Sequence, residues 1–308
     1  MTRIRSYALL VLLSWAFVSC QEKPIPVKEG TMVINGSEVY YKTMGEGEPL
    51  LVIHGGPVLD HSYFLPHLES LAEDYQLIFY DQRACGRSSV AIDSATMNLA
   101  GFVDDIEQIR QNLKLEKLNV MGHSWGGLIA MKYAIAHDDR VDHLILSNSM
   151  APSAADWQAE NIASANKINP DDKRRLDNIV STGLLRSPNA VPYIKEMMLL
   201  SFKSQMYDRE NINQLNLFIP QDFQKRSAVF GLLGPDLGTY DLYSDLNKVK
   251  SPTLVLFGES EEAVHLHASK MTDALANAEL KVIDHSGHFP FIENPTDFSR
   301  AVKGLLNQ

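Results

Sequence analysis

The chain contains little cysteine: 2 of its 308 residues, Cys20 and Cys85. Small secreted domains that depend on disulfides need several pairs, so no disulfide framework is predicted. The apolar run near the N-terminus, residues 7–18, is shorter than the roughly 20 residues that an ordinary membrane-spanning helix needs. Basic residues are also the minority, with 28 Lys and Arg against 38 Asp and Glu, and they form no cluster. Binding to nucleic acid requires such a cluster to neutralise phosphates, so a nucleic-acid partner is excluded.

The N-terminus does contain the features of an export signal. Arg3 and Arg5 precede the apolar run, and small residues follow it. Cys20 ends a Phe-Val-Ser-Cys sequence that resembles a bacterial lipobox, in which the cysteine is lipid-modified, although Phe17 replaces the usual leucine. We therefore predict a lipoprotein-type signal peptide over residues 1–20 and an exported protein of the bacterial cell envelope, anchored to a lipid bilayer and facing the periplasm or the surface. The alternatives are an uncleaved anchor helix and a signal peptide cut nearby, which leaves Cys20 unmodified.

After a predicted tether over residues 21–30, short apolar segments alternate with stretches of helical periodicity. The apolar runs are typical of strands buried on both faces, and they lie at residues 50–53, 77–80, 118–121, 144–146, 253–257 and 280–283. Apolar residues at helical spacing lie at residues 102–113, 128–136 and 263–276. This alternation predicts an α/β fold with a mostly parallel sheet flanked by helices. Before the first run, Asn35 and Gly36 predict a tight hairpin turn.

The alternation stops between residues 151 and 245, where the sequence is helical, polar and interrupted by prolines. Strand-like sequence resumes afterwards, so this segment is interpreted as an inserted helical cap. The predicted organisation is therefore a core over residues 31–150 and 246–308, with a cap over residues 151–245.

The sequence Gly-His-Ser-Trp-Gly at residues 122–126 follows a predicted strand and precedes a predicted helix. In that context a G-x-S-x-G motif forms a strained turn that exposes its serine, which makes Ser124 the candidate nucleophile. A glycine-rich turn with a solvent-exposed serine is the alternative. A serine hydroxyl needs an adjacent base, and two histidines follow the last predicted strand. His288, which comes after Gly287 in a loop, is preferred to His285, which stands nearer the strand.

The acid of a catalytic triad should follow the penultimate strand, where three glutamates compete. The spacing favours Glu261 over Glu259 and Glu262, and an acidic, solvated helix N-terminus is the alternative. Acyl transfer also needs backbone N–H donors for the developing oxyanion. The His-Gly-Gly-Pro sequence at residues 54–57 can supply one donor, and the N–H of Trp125 can supply the other.

Four motifs together resemble the proline iminopeptidase family of α/β-hydrolases. They are residues 54–57, the Asp-Gln-Arg-Ala-Cys-Gly-Arg-Ser sequence at 81–88, residues 122–127 and the Gly-His-Phe-Pro-Phe-Ile-Glu-Asn-Pro sequence at 287–295. The likeness covers about residues 30–150 and 245–305 and is weak in the cap. It implies an α/β-hydrolase fold with Ser124 as nucleophile and His288 as base. It also implies Gly56 and Trp125 as oxyanion donors, with Glu261 at the position of the usual aspartate.

The resemblance further implies residues that hold the N-terminal amine of a substrate. Family members that bind a free amine use a glutamate directly after the triad acid, a position that Glu262 occupies. They place a second glutamate in the cap, within a Gly-Pro-x-Glu-Phe sequence. Here Leu237 stands at that position, and the neighbouring Asp236 is the candidate substitute.

Together these residues predict a serine hydrolase, and the resemblance implies an aminopeptidase that releases N-terminal residues, such as proline, from short peptides through an acyl-enzyme. A carboxylesterase on the same triad is the first alternative, and a non-catalytic ligand-binding protein is the second. The expected partner is a small molecule or a short peptide, and no cofactor is predicted. No metal site is predicted, because His265 and His267 are two residues apart and do not share a helix face.

Overall fold

The apolar runs of the sequence form one sheet in the computed structural model, which describes residues 24–56 and 58–308. Its strands are β1 (Val27–Ile34), β2 (Ser37–Met44), β3 (Glu48–Ile53), β4 (Tyr75–Tyr80), β5 (Leu118–His123), β6 (Val141–Ser147), β7 (Thr253–Gly258) and β8 (Ala278–Ile283). They are arranged in the order β1-β2-β4-β3-β5-β6-β7-β8. β2 pairs antiparallel with β1 and β4, and the other neighbours are parallel.

Helices flank this sheet and also form the insertion between β6 and β7. They are α1 (Leu99–Asn112), α2 (Trp125–Ala136), α3 (Ala154–Ala165), α4 (Pro170–Ser181), α5 (Val191–Lys203), α6 (Phe223–Phe230), α7 (Gly234–Leu237), α8 (Glu262–Leu266), α9 (Ala268–Ala274), α10 (Pro290–Glu293) and α11 (Pro295–Leu306). The insertion leaves and rejoins the core at one neck, where the Leu242 N–H donates to the Pro152 carbonyl at 2.9 Å. The predicted fold class, a mostly parallel sheet flanked by helices with a helical cap, is confirmed.

The centre of the sheet is the core of the protein. The apolar residues of β3, β5 and β7 are almost completely buried, and α2 packs against β3, β5 and β6 while α11 packs against β6, β7 and β8. Each fully buried Val, Leu or Ile side chain stabilises the fold by about 1.5–3 kcal/mol. Because β5, β7 and β8 are parallel to each other, the residues that follow them meet at one edge of the sheet.

The first hairpin has the predicted turn. Asn35 and Gly36 have φ values of 49° and 77°, the pair of positive values that a two-residue type I′ turn requires. However, β1 begins at Val27, inside the predicted tether over residues 21–30. The apolar pattern did not predict this part of the strand, because β1 is an edge strand with exposed, charged residues such as Glu29. The Glu29 carboxylate accepts a hydrogen bond from the Tyr40 hydroxyl at 2.8 Å.

The segment with helical periodicity at residues 263–276 is helical, but it forms two helices, α8 and α9, with a break at His267. This residue has φ −146° and ψ −9°, and its ring is buried. His267 Nε2 lies 2.9 Å from Glu160 Oε2 of the cap. A contact with a helix distant in sequence therefore accompanies the break. Helical periodicity does not predict such a contact.

The predicted signal peptide with Cys20, residues 1–20, lies outside the described residues and stays a prediction. Among the helices of residues 24–56 and 58–308, none is long and apolar enough to cross a membrane.

Candidate active site

Ser124 lies in the turn between β5 and α2, with φ 55° and ψ −124°. A positive φ is strained for a residue with a side chain, and such strain concentrates at functional sites. Glycines on both sides make this turn possible. A Cβ at Gly122 would stand 2.3 Å from the Gly126 carbonyl oxygen, and one at Gly126 would stand 2.2 Å from the Ile53 carbonyl oxygen. The turn places Ser124 at the carboxyl end of β5, on the wall of a cavity.

His288 lies in the loop between β8 and α10 and lines the same cavity. Its Nδ1 is 3.1 Å from Glu261 Oε2. Burial alone would lower the pKa of His288, but the charge of Glu261, the hydrogen bond to it and the charge of Glu160 raise that pKa above its ordinary value of 6.5. The hydrogen bonds among the described residues do not include one between Ser124 and His288. In unliganded enzymes this bond is often long and tightens when the substrate binds.

Glu261 is the residue immediately before α8, and only 8% of its side chain is exposed. Of the three competing glutamates, it is the one that contacts His288 and lines the cavity. The structure therefore brings Ser124, His288 and Glu261 to one cavity. Their order along the chain, Ser-Glu-His, is the order expected of a nucleophile, an acid and a base.

The two expected oxyanion donors, Gly56 and Trp125, both line the cavity beside Ser124. Trp125 is the first residue of α2, so its N–H has no acceptor within the helix. A Cβ at Gly56 would stand 3.6 Å from the Trp125 ring, which shows how close the two loops are. The N–H of Gly55 points elsewhere and donates to the Tyr63 hydroxyl at 2.6 Å. Gly56, which lines the cavity, therefore remains the candidate oxyanion donor of this loop.

Side chains to which the sequence analysis assigned no role hold these loops in place. Trp125 Nε1 donates to Gln82 Oε1 at 2.8 Å, and Gln82 Nε2 donates to the His54 carbonyl at 2.6 Å. His123 lies 2.8 Å from the Tyr63 hydroxyl through Nδ1 and 2.8 Å from the His288 carbonyl through Nε2. Burial, together with the nearby His288, lowers the pKa of His123 well below its ordinary value, so its ring is neutral. A neutral ring satisfies both contacts when Nε2 donates to the carbonyl and Nδ1 accepts from the hydroxyl.

The cavity has a volume of about 460 Å³ and lies between the sheet edge and the cap. Four aromatic side chains form much of its wall: Trp125, Trp157, Phe202 and Phe230. Its ionisable lining residues are His288 and two glutamates, and no Lys or Arg is among the lining residues that the structure describes. The cavity therefore favours apolar or cationic groups and disfavours carboxylates.

The two predicted amine-binding residues do not line this cavity. Glu262 Oε1 is 2.6 Å from Lys167 Nζ, so its charge is already paired. Asp236 Oδ2 accepts a hydrogen bond from the Leu99 N–H at 2.8 Å, at the N-terminus of α1. That N-terminus attracts a carboxylate because its first N–H groups have no helical acceptor. Leu237, at the position of the family glutamate, does line the cavity.

Glu160 of α3 is the cavity glutamate that the sequence analysis missed. Its carboxylate is 14% exposed and contacts His267 Nε2 at 2.9 Å. Trp157, Glu160, Asn161 and Ser164 all line the cavity. Glu160, Asn161 and Ser164 follow Trp157 by three, four and seven residues, the spacing of residues on one face of a helix. This spacing was the signal in the sequence that could have predicted that they share a surface.

Outside this cavity, Asp60, His61 and Asp81 form a buried group whose ligand atoms lie within 4.8 Å of one another, as a metal site would require. A basic side chain is already present there. Arg87 Nη1 lies 3.1 Å from Asp60 Oδ2, and His61 Nδ1 lies 2.6 Å from Asp81 Oδ1. These contacts satisfy the carboxylates and give the group a structural role in the loops beside β4.

Comparison with known proteins agrees with this architecture. A family model described as the alpha/beta hydrolase fold matches residues 48–295. A proline iminopeptidase of Heyndrickxia coagulans is 27% identical over 294 residues, which cover 91% of this chain and 98% of the relative. One from Clostridioides difficile (strain 630) is 27% identical over 296 residues, with the same coverage.

Among solved structures, that of a Mycobacterium smegmatis proline iminopeptidase has a TM-score of 0.67 at 22% identity and covers 91% of this chain and 98% of its own. A thermophilic esterase from Thermogutta terrifontis has a TM-score of 0.63 at 22% identity, with 91% and 98% covered. At these identities the structural likeness shows the fold alone. Because the family model matches well over half of the chain, the protein belongs to the α/β-hydrolase fold family.

Proposed function

We propose that the protein is a serine hydrolase of the proline iminopeptidase type, which releases N-terminal residues from short peptides through an acyl-enzyme. The observation that carries this proposal is the shared cavity: a strained Ser124 and a His288 paired with Glu261 both line it. Gly56 and Trp125, whose N–H groups are the candidate oxyanion donors, line the same space. These are the parts that acyl transfer requires.

In the proposed reaction, His288 accepts the Ser124 proton as the hydroxyl attacks the substrate carbonyl. The negative charge that develops on the carbonyl oxygen is stabilised by the N–H groups of Gly56 and Trp125. Glu261 keeps the proton of neutral His288 on Nδ1 and stabilises the imidazolium that forms. His288 then protonates the leaving amine, and water, activated by the same histidine, hydrolyses the acyl-enzyme.

We propose that Glu160 binds the N-terminal ammonium of the substrate, in place of Glu262 and Asp236. Its carboxylate is on the cavity wall, and its contact with His267 fixes its orientation. Trp157 of the same helix lines the cavity beside it, and an aromatic face adds attraction for a cation. A carboxylate in a partly dehydrated site contributes more to binding a cation than one in water does.

A carboxylesterase is the second candidate, and one observation favours it. The glutamate that the family places in the cap is replaced by Leu237, which adds apolar surface to the cavity. An apolar wall beside a serine nucleophile suits an uncharged acyl group as well as it suits proline.

Three substrates separate these candidates: prolyl-4-nitroanilide, its N-acetylated counterpart and a 4-nitrophenyl ester. Cleavage of the free-amine anilide in preference to the acetylated one supports the aminopeptidase. Failure on both anilides, with rapid hydrolysis of the ester, would replace it with the esterase.

The Glu160→Gln variant tests the proposed amine contact. We expect kcat/KM for prolyl-4-nitroanilide to fall about 10- to 100-fold, because a hydrogen bond to a charged group contributes about 1.5–3 kcal/mol. Hydrolysis of the neutral 4-nitrophenyl ester, measured well above the pKa of His288, should change little. Glu262→Gln is the matched control and should leave both reactions near wild type. An equal loss on amine and ester would remove Glu160 from the amine site.

The pH profile tests the environment of His288. Only the neutral imidazole accepts the Ser124 proton, so kcat/KM for the neutral ester should rise with pH through the pKa of His288. Because Glu261 and Glu160 raise that pKa, the midpoint should lie above the ordinary 6.5. Removing the negative charge in Glu160→Gln should move the midpoint to lower pH. A midpoint that does not move would show that Glu160 does not act on His288.

A further inference from the structure

The loop that carries His288, residues 284–289 between β8 and α10, is called the base loop here. It forms hydrogen bonds with the cap as well as with the core. The His288 N–H donates to the carbonyl of Gln205, a cap residue that also lines the cavity, at 2.8 Å. A Cβ at Gly287 would stand 2.1 Å from the same carbonyl oxygen, so the two backbones are in direct contact. The cap segment that follows α5 therefore forms part of the support of the base.

Glu293, at the end of α10, forms hydrogen bonds with both the base loop and the cap segment that follows α5. Its Oε2 accepts hydrogen bonds from the N–H of Gly287 at 2.7 Å and from the N–H of Tyr207 at 3.1 Å. Its Oε1 accepts from the N–H of Asp208 at 2.9 Å and from Asn211 Nδ2 at 3.3 Å. One carboxylate thus collects four donors, one from the base loop and three from the cap. No basic side chain is among these partners.

We propose that Glu293 is a positioning residue that makes the placement of His288 depend on the docked cap. If the cap segment over residues 205–208 moves away, the base loop loses the Gln205 contact and the cross-link through Glu293 together. The base loop then keeps only its contacts with the core, those of His123 with the His288 carbonyl and of Asn148 with the Gly287 carbonyl. The ring of His288 is held less firmly against Glu261 as a result. Docking of the cap and placement of His288 are coupled in this way. The inference rests on the proposed role of His288 as the base.

The Glu293→Gln variant tests this coupling with the neutral 4-nitrophenyl ester as substrate. In either orientation of the amide, an NH₂ group faces N–H donors and one pair of hydrogen bonds is lost. A fluorophosphonate that labels the nucleophilic serine counts the active sites, so that kcat is expressed per labelled site. We expect kcat to fall about 10- to 100-fold, because small displacements of a catalytic group have effects of that size. KM should change little, and the acid limb of the pH profile should move to lower pH as the contact between His288 and Glu261 weakens.

Asp156→Asn is the matched control. It removes the charge with which Asp156 of the cap helix α3 binds Lys270, at 3.1 Å, and the Tyr243 hydroxyl, at 2.6 Å, and so weakens both contacts. Neither contact involves the base loop. It should leave kcat per site near wild type. An unchanged kcat per site in Glu293→Gln, or an equal loss in Asp156→Asn, would overturn the proposal.

Asn211→Ala is the second variant, for use if Glu293→Gln does not fold. It removes one of the four donors, so kcat should fall in the same direction by a smaller factor, and a wild-type value would overturn the proposal. A wild-type protein that the fluorophosphonate does not label would instead overturn the proposed hydrolase function. Labelled wild type with an unaffected Glu293→Gln would overturn only the role of Glu293.

Discussion

Ser124→Ala should reduce kcat by about five to six orders of magnitude, the loss seen when the nucleophile of a serine hydrolase is removed. Without the hydroxyl no acyl-enzyme forms, and the remaining oxyanion donors accelerate attack by water only weakly. The fold should be unaffected, because Ser124 Oγ makes no hydrogen bond among the described residues and the backbone strain at this turn is the same for alanine. Hydrolysis of the ester and of prolyl-4-nitroanilide, followed by fluorophosphonate labelling, measures the effect.

Ser147→Ala is the control for Ser124→Ala. Ser147 ends the neighbouring strand β6, and its hydroxyl is buried without a hydrogen-bond partner among the described residues. Its removal should leave kcat near wild type. Activity retained in Ser124→Ala would disprove the proposed nucleophile. Ligand binding that persists in this variant, together with a wild-type protein that turns nothing over, would indicate a receptor on a hydrolase fold.

Glu261→Gln should reduce kcat by about 10³- to 10⁴-fold, as the equivalent amide substitution does in serine proteases. The amide group can donate a hydrogen bond to Nδ1 of His288, which favours the tautomer with its proton on Nε2, and this tautomer cannot accept the Ser124 proton. The neutral amide also no longer stabilises the imidazolium. The folded structure should persist, because glutamine has the shape of glutamate. Loss of the carboxylate charge should also lower the pKa of His288, so the acid limb of the pH profile should move to lower pH.

Glu259→Gln and Glu262→Gln are the controls for Glu261→Gln. Glu262 is paired with Lys167 in the cap, and neither control residue lines the cavity. Both variants should retain near-normal kcat. Near-normal activity in Glu261→Gln, with a large loss in one of the others, would transfer the role of the acid to that residue.

Much of the fold was predictable because its signals are local. Parallel strands buried on both faces have uninterrupted apolar sequences, and β3, β4 and β7 lie where such runs occur. The turn at Ser124 was predictable for a similar reason, since its close contacts admit only glycine at residues 122 and 126. Edge strands lack that apolar signal, which is why the start of β1 was missed.

The helix break at His267 was not predictable, because it accompanies a contact with Glu160 more than 100 residues away. The same limit applies to the amine-binding residues. Glu262 and Asp236 were chosen by their position in motifs, but the partner of each carboxylate comes from another part of the chain. Lys167 pairs with Glu262, and the N–H of Leu99 binds Asp236.

The sequence by itself determined the sheet, the chain order of Ser124, Glu261 and His288, and the turns that carry them, because these depend on strand hydrophobicity and on a few residues around each strand end. Only the tertiary structure decided which carboxylates face the cavity and how the base loop is supported. A glutamate on a helix or loop has no fixed partner until distant elements pack against it. The packing of α3 against α8 placed Glu160 in the cavity wall, and the docking of the cap segment placed Glu293 between the cap and the loop that carries His288.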